Sequence, residues 1–333
     1  MTPPARTSLP GTLRLGTRGS RLATTQAGHV AAMLEAATGA TSELVPVTVA
    51  GDNHTVPLGQ GRPGVFTSAL QQVLLAGTVD YVVHSFKDLP SALVEGLAIA
   101  AVPERANPCD VLVLPDELAA DLGILAEGTH PGQAAHAALR ALPAAVRIGT
   151  SSPRRAAAIL RLRPDVVIVP IRGNVETRVN RALSRDGVDA VVMAAAGLER
   201  AGLLNPAWPV FTLDEMVPAP AQGALAIECR SDDAALVELL ARLNHPQTCA
   251  EITAERAVLT GVNAACTTAV GALASTHEST LTLTADLTDH AGVEYARATA
   301  QCEIQPCDPA QRHLEQACDL GASLAATLLE AAV

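Results

Sequence analysis

Two stretches of this chain repeat one another, and the repeat narrows the folds open to it. Residues 13–23 read LRLGTRGSRLA and residues 146–156 read VRIGTSSPRRA. Each is an apolar run closed by Gly-Thr, then a serine placed to cap a helix, then arginine in the first helical turn. A strand, a tight turn and a helix N-terminus met twice predict two similar α/β domains. In the first, strand-like runs at 44–49, 80–84 and 97–102 alternate with helical patterns at 24–37 and 68–76. In the second, strands at 166–170 and 189–193 alternate with helices at 177–184 and 195–201. That alternation predicts mostly parallel or mixed sheets covered by helices. Ligands of such sheets bind beyond the C-terminal strand ends, where both Gly-Thr turns fall.

Past Asn244 the pattern changes. A helix at 253–259, the small-residue loop NAACTTAVG, the alternating run STLTLTADL and an amphipathic helix at 309–331 predict a small α+β third domain. Pro218, Pro220 and Gly223 in MVPAPAQGALAIE mark a crossing between domains. The expected division is residues 1–103 with 222–243, then 104–221, then 244–333. The Ala-rich segment 115–143 reads as helix and loop on the surface.

Composition excludes several classes. A formal charge of -11 and 2% aromatic residues argue against generic nucleic-acid binding. No apolar run reaches the roughly 18 residues that span a bilayer, and MTPPARTSLPG at the N-terminus has no apolar core of a signal peptide, so a cytoplasmic protein is expected. Cys109, Cys229, Cys249, Cys266, Cys302, Cys307 and Cys318 include no C-x-x-C pair, which disfavours a disulfide framework or zinc cluster. The histidines have no metal spacing either, so no metal is expected.

Three places can carry chemistry. Arg154 and Arg155 fall at the positive end of a helix dipole, where each cation costs roughly 0.3–1 kcal/mol, and so predict an anion nearby. From Arg147 to Asp186, nine arginines stand against Asp165, Glu176 and Asp186 in a chain that is acidic overall. Planar guanidinium forks suit bidentate contacts to carboxylate or phosphate. The second place is TVDYVVHSFKDLP, a buried strand ending in Ser85, Lys87 and Asp88, with Lys87 the single lysine among 23 basic residues. A carboxylate there can move a proton or stabilise developing positive charge. The third is Cys266, whose small neighbours leave room for a bulky group. A capped surface helix, a surface ion pair and a buried thiol are the plainer alternatives for the three. The loop GQGRPG at 59–64 can serve as a lid or a connector.

In this order, RLGTRGS, VHSFKDLP, RIGTSSPRR, IRGNVETR, AAAGLER, PAPAQGALAIECR, TAERAV and the Cys266 loop resemble the hydroxymethylbilane synthase, or porphobilinogen deaminase, family. The resemblance covers nearly the whole chain. It implies two α/β domains with mixed sheets, type II periplasmic-binding-protein-like, plus the small α+β domain. It implies a transferase of porphyrin and heme biosynthesis that deaminates four porphobilinogen molecules. These are condensed head to tail on a cysteine-linked dipyrromethane cofactor and released as the linear tetrapyrrole hydroxymethylbilane. Cys266 is the implied attachment site. Asp88 is the implied catalytic carboxylate, while Ser85, Lys87, Asp88, Thr150, Ser151, Ser152, Arg154 and Arg155 are implied to bind the cofactor. Arg18, Ser20, Arg172, Gly173, Arg178, Arg200 and Gln222 are implied to face the substrate or the growing chain. The anions expected at the arginines are then acetate and propionate side chains. The implied partners are porphobilinogen and, for the product, uroporphyrinogen III synthase, with no nucleic acid or membrane and the protein a monomer.

The chain departs from the family pattern at a few places. Ala264, Ala265 and Ala269 stand where two glycines and a proline flank the cysteine, Ala50 where an arginine precedes Gly-Asp, Pro63 where the lid has a lysine, and Ala221 where a glycine precedes Gln222. Altered lid behaviour and slower cofactor attachment are expected. The rival reading is a non-catalytic two-domain binder of carboxylates or phosphates, which needs neither Asp88 nor a thiol. An arginine-patch nucleic-acid binder is the weaker third.

Overall fold

The computed structural model describes residues 11–47, 65–121, 134–262, 269–288, 295–304 and 310–331. In chain order the elements begin β1 (Thr12–Arg18), α1 (Arg21–Thr38), β2 (Thr41–Val47), α2 (Val65–Leu75), β3 (Tyr81–Ser85), β4 (Leu97–Ala101), β5 (Asp110–Val113) and α3 (Asp116–Asp121). Next come α4 (Ala134–Ala141), β6 (Arg147–Gly149), α5 (Pro153–Leu162), β7 (Val167–Val169), α6 (Val175–Leu183), β8 (Ala190–Ala194) and α7 (Ala195–Arg200). The remainder is β9 (Leu225–Arg230), α8 (Ala234–Leu240), α9 (Pro246–Gly261), β10 (Ala269–His277), β11 (Thr280–Thr288), β12 (Tyr295–Glu303) and α10 (Ala310–Ala331). They form two compact units, Met1–Ala106 with Ala224–Cys249, and Asn107–Gly223 with Ala250–Val333.

The first unit holds a mixed sheet in the order β2-β1-β3-β9-β4, with β1 parallel to both neighbours and β9 antiparallel to both of its own. The second unit holds the sheet β5-β8-β6-β7, in which β6 is parallel to β7 and β8 while β5 is antiparallel, and an antiparallel sheet β10-β11-β12. The predicted α/β alternation, the mixed sheets and the smaller separate sheet are therefore present.

The sequence repeat has a structural counterpart more extensive than the quoted residues. Asp80 takes the Arg14 backbone N–H at 2.8 Å and its guanidinium at 2.9 and 3.2 Å, and Asp189 takes the Arg147 N–H at 2.9 Å and its guanidinium at 3.1 and 3.2 Å. Each aspartate returns its own N–H to the carbonyl of its arginine at 2.8 Å. Two residues on, Gly16 and Gly149 lie against the neighbouring strand; a Cβ at either would come within 3.0 Å of Val82 or Val191. Only glycine lets the strands approach so closely.

The segment expected at the surface is partly core. Within 115–143, Ala119, Ala135, Ala138, Leu139 and Leu142 are buried with Ile148 and Ile159 behind the second unit's α/β sheet. Alanines on one helical face give no hydropathy contrast, which is why this face escapes the sequence. Residues 122–133 lie outside the described residues.

Within the second unit, α5 meets β10 and its neighbours through charge as well as packing. Arg161 lies over the Tyr295 ring at 4.4 Å from its centre, and Arg297 donates to the Leu213 and Asp214 carbonyls at 3.1 and 3.2 Å. Asp286 on β11 is 5% exposed. Burial pushes its carboxyl pKa up, against the opposing pull of Arg154, Arg161 and Arg297 and of the Gly271 N–H. A value raised above that of the unfolded chain means the fold holds the proton more tightly. Asp286 therefore stabilises the fold at acid pH, and this contribution is lost as pH rises through the raised value. Asp286→Asn stays neutral and can still accept from Gly271, so it is expected to gain stability over the parent at pH 8 relative to pH 4. Urea midpoints at the two pH values check this; an equal difference at both would refute it.

Candidate functional site

In the first unit, parallel neighbours β1 and β3 end at the same edge of the sheet. β1 ends in Arg18, and Ser20 caps α1 by accepting the Ala23 N–H at 3.4 Å. β3 ends in Ser85, and a single 3-10 turn follows at once over Phe86–Asp88. Phe86 and Leu89 are buried and anchor the turn, which leaves Lys87 half-buried and Asp88 exposed. The Ser85 hydroxyl accepts from Gln26 Nε2 of α1 at 3.0 Å. His84 faces inward, its Nε2 3.0 Å from Glu228 Oε2 on β9, while Gln71 Nε2 of α2 donates to Glu228 Oε1 at 3.1 Å. All three are buried, so the histidine of HSFKD braces the strand that carries the turn.

In the second unit, β6 runs into Thr150, whose Oγ1 accepts the Ser152 N–H at 3.1 Å. Ser151 Oγ donates to the Ile171 carbonyl at 2.8 Å and accepts its N–H at 3.0 Å, and Ser152 caps α5 through the Arg155 N–H at 3.4 Å. Pro153 occupies the first turn, as the sequence predicts. On the parallel neighbour β7 the chain leaves through exposed Arg172 to Gly173, whose carbonyl accepts Arg178 Nε at 2.9 Å. Arg200, at the end of α7, donates to the Gly223 carbonyl at 2.7 Å. Burial pulls its pKa down, partly offset by Glu199.

The first-turn arginines have an anion inside the chain. Asp110, fully buried at the start of β5, receives Arg154 Nη2 at 2.6 Å and Arg155 Nε and Nη2 at 3.0 and 2.8 Å. Gln222 Nε2 joins it at 3.0 Å and also donates to the Pro108 carbonyl at 2.7 Å. Arg154 Nη1 reaches the Val217 carbonyl and Arg155 Nη1 that of Val192. Burial lowers the Arg155 pKa and Arg154 adds to this, while Asp110 opposes both. Two guanidiniums thus share one hydrogen-bonded carboxylate at a helix N-terminus that is itself positive, with Asp286 a second acid in range of Arg154.

Each unit thus gathers its own group of expected residues: Arg18, Ser20, Ser85, Lys87 and Asp88 in the first, and Thr150 to Arg155 with Arg172, Gly173, Arg178, Arg200 and Gln222 in the second. Cys266 and the 59–64 loop lie outside the described residues, as do Ala50, Pro63, Ala264 and Ala265. Asp110, Gln26, Gln71 and Glu228 were not singled out by sequence. Asp110 had a signal, since a charge opening the apolar run DVLVL must be paired if the strand is buried. Among the described residues, no group of three His, Cys, Asp or Glu is arranged to hold a metal ion. Burial, with Asp233 adding to it, pushes the Cys229 thiol up to about 12, and burial raises Cys249 and Cys302 as well.

Two family models match the chain: "Porphobilinogen deaminase, dipyromethane cofactor binding domain" over residues 13–238, and "Porphobilinogen deaminase, C-terminal domain" over 249–330. A porphobilinogen deaminase of Leifsonia xyli subsp. xyli is 43% identical over 325 residues, 96% of this chain and 92% of its own length. One of Thermobifida fusca is 42% identical over 321 residues, 95% and 93% of the two chains. Among solved structures, substrate binding domain 2 of Lactococcus lactis GlnP is 9% identical, with a TM-score of 0.40 over 72% of this chain and 89% of that one.

Removing Asp110 would leave two buried guanidiniums without their shared counterion. Asp110→Ala is expected to destabilise the protein by about 3–5 kcal/mol in denaturant unfolding. A loss below about 1 kcal/mol would show that the pair does not depend on it.

Proposed function

We infer function from one premise: this chain belongs to the porphobilinogen deaminase family. It is a hydroxymethylbilane synthase, a transferase of tetrapyrrole biosynthesis that deaminates four porphobilinogen molecules, condenses them head to tail on a dipyrromethane primer and releases the linear tetrapyrrole. The observation in the fold that best supports this is the turn Phe86–Asp88, which holds an exposed carboxylate beside the chain's single lysine at a C-terminal strand end.

The donor set suits a polyacidic cofactor. Arg154 and Arg155 share the one carboxylate they hydrogen-bond, Thr150, Ser151 and Ser152 cluster at a helix N-terminus, and in the first unit Ser85 and Lys87 stand at a C-terminal strand end. These residues are proposed to hold the acetate and propionate groups of the dipyrromethane, with Cys266 as the covalent anchor. When bound, the cofactor supplies the pyrrole carbon to which the first substrate unit is joined. Arg18, Ser20, Arg172, Gly173, Arg178, Arg200 and Gln222 are proposed to orient substrate carboxylates.

The chemistry asks for an anion at the reacting centre. As the substrate's C–N bond breaks, its ammonium group leaves as ammonia and positive charge spreads to the pyrrole nitrogen. The Asp88 carboxylate stabilises that charge, then takes the proton released as the new C–C bond forms. We propose further that the protein works as a cytoplasmic monomer, folded as three domains divided near residues 103, 221 and 243, and passes its product to uroporphyrinogen III synthase. No helix among the described residues is long and apolar enough to cross a membrane.

Asp88→Ala is expected to lower kcat at least about 100-fold with the circular dichroism spectrum unchanged; near-parental turnover would overturn the mechanism. The intact mass of the parent is expected to exceed that of Cys266→Ala by two linked porphobilinogen units, beyond the substitution's own mass. A bare mass in both, with no gain after incubation with porphobilinogen, would favour the non-catalytic binding protein.

A further inference from the structure

The motif TAERAV lies on α9, and the proposed reaction makes no use of it. α9 places Glu251 and Glu255 one turn apart, facing β10, the edge strand of the three-stranded sheet. An edge strand presents a row of backbone N–H groups that need partners when buried. On β10 these alternate: the Ala272 N–H donates to the Pro218 carbonyl at 2.9 Å, Ala274 to Glu255 Oε1 at 2.9 Å and Thr276 to Glu251 Oε1 at 2.9 Å. Glu255 also has a partner for its other oxygen. Glu255 Oε2 accepts the Ala221 N–H at 2.6 Å, and the carboxylate is fully buried.

Ala221 is itself unusual. It is fully buried and has φ +64, the left-handed region that favours glycine. The next residue, Gln222, turns its side chain onto Asp110 and the Pro108 carbonyl, and the Gly223 carbonyl accepts Arg200. A continuous path of hydrogen bonds therefore runs from Glu255 through the Ala221–Gln222 backbone to Asp110 and on to Arg154 and Arg155. We propose that Glu255 is a positioning residue: by holding Ala221 in its left-handed conformation, it sets Gln222 against Asp110 and so fixes the attitude of the two arginines. Alanine at 221 makes the dependence on Glu255 stronger, because glycine would adopt the same backbone unaided. The functional part of this inference rests on the reading that Arg154 and Arg155 receive cofactor carboxylates.

The test compares the parent with Glu255→Gln, Ala221→Gly and the double variant, all as full-length protein expressed with its cofactor. An amide can accept only one of the two N–H groups and turns its own N–H₂ on the other. Glu255→Gln is expected to speed hydrogen exchange in the peptide spanning 217–223 at least 10-fold. The fraction loaded with dipyrromethane should fall by half or more, and KM should rise at least 5-fold with kcat of the loaded fraction within 2-fold. Ala221→Gly alone should match the parent, and in the double variant it should restore most of the exchange protection and KM. Parental exchange and KM in Glu255→Gln would overturn the proposal, as would a double variant no better than Glu255→Gln. If Glu255→Gln does not fold, Glu255→Asp replaces it with the same expected changes and the same refuting results, since its shorter carboxylate cannot span both N–H groups. A parent that carries no dipyrromethane and turns over no porphobilinogen would defeat the reading of function instead, leaving the exchange data to decide the role of Glu255.

Discussion

The paired braces Arg14–Asp80 and Arg147–Asp189 fix what the rest of the fold depends on, which is the register of two central strands in each α/β sheet. Each aspartate binds backbone and guanidinium of its arginine together, so that a slip by one residue would break several hydrogen bonds at once and bring every side chain to the wrong face. With register set there, Gly16 and Gly149 can lie against valines of the next strand. The strand ends then arrive together within each unit: β1 closes on Arg18 and β3 on Ser85 in the first, and in the second Ser151, just past β6, bonds Ile171, just past β7. The side chains proposed for chemistry are thus placed by contacts at the opposite ends of their strands.

Buried ions recur deeper in the second unit, where Asp110 meets two guanidiniums and Glu255 meets two backbone amides. Such groups contribute little net stability, because desolvation offsets most of the attraction, yet removing one partner is costly. Their value lies in allowing few alternatives: Arg154 and Arg155 have planar forks whose directions Asp110, Val217 and Val192 determine. The left-handed Ala221 works against this order, since a non-glycine residue there costs roughly 1–2 kcal/mol.

Much of this was legible in the sequence because it is local. Ser152 as N-cap, Pro153 at the helix start and strand alternation depend on neighbours within a few positions, and the structure places each where the pattern put it; Gly16 and Thr17, read as a turn, instead continue β1, which runs on to Arg18. What the sequence withheld is pairing at a distance. The brace partners Arg14 and Asp80 are 66 residues apart, and Arg155 and Asp110 are 45 apart, with no periodicity to link them. The first-turn arginines announced the need for an anion without saying that the chain supplies one itself. For the buried face of α4, alanine was ambiguous, since it suits core and surface alike.

The protonated state of the buried thiols bears on a matter of chemical selectivity. A thiol attacks electrophiles as its thiolate, so a group held up near 12, as Cys229 is, offers almost none of the reactive form at neutral pH. Cys249 and Cys302 are shifted the same way. An electrophilic pyrrole released inside a chain with seven cysteines faces a competition among nucleophiles. Burial takes Cys229 out of that competition before any geometry of approach comes into play, and partial burial disfavours the thiolates of Cys249 and Cys302 in the same sense.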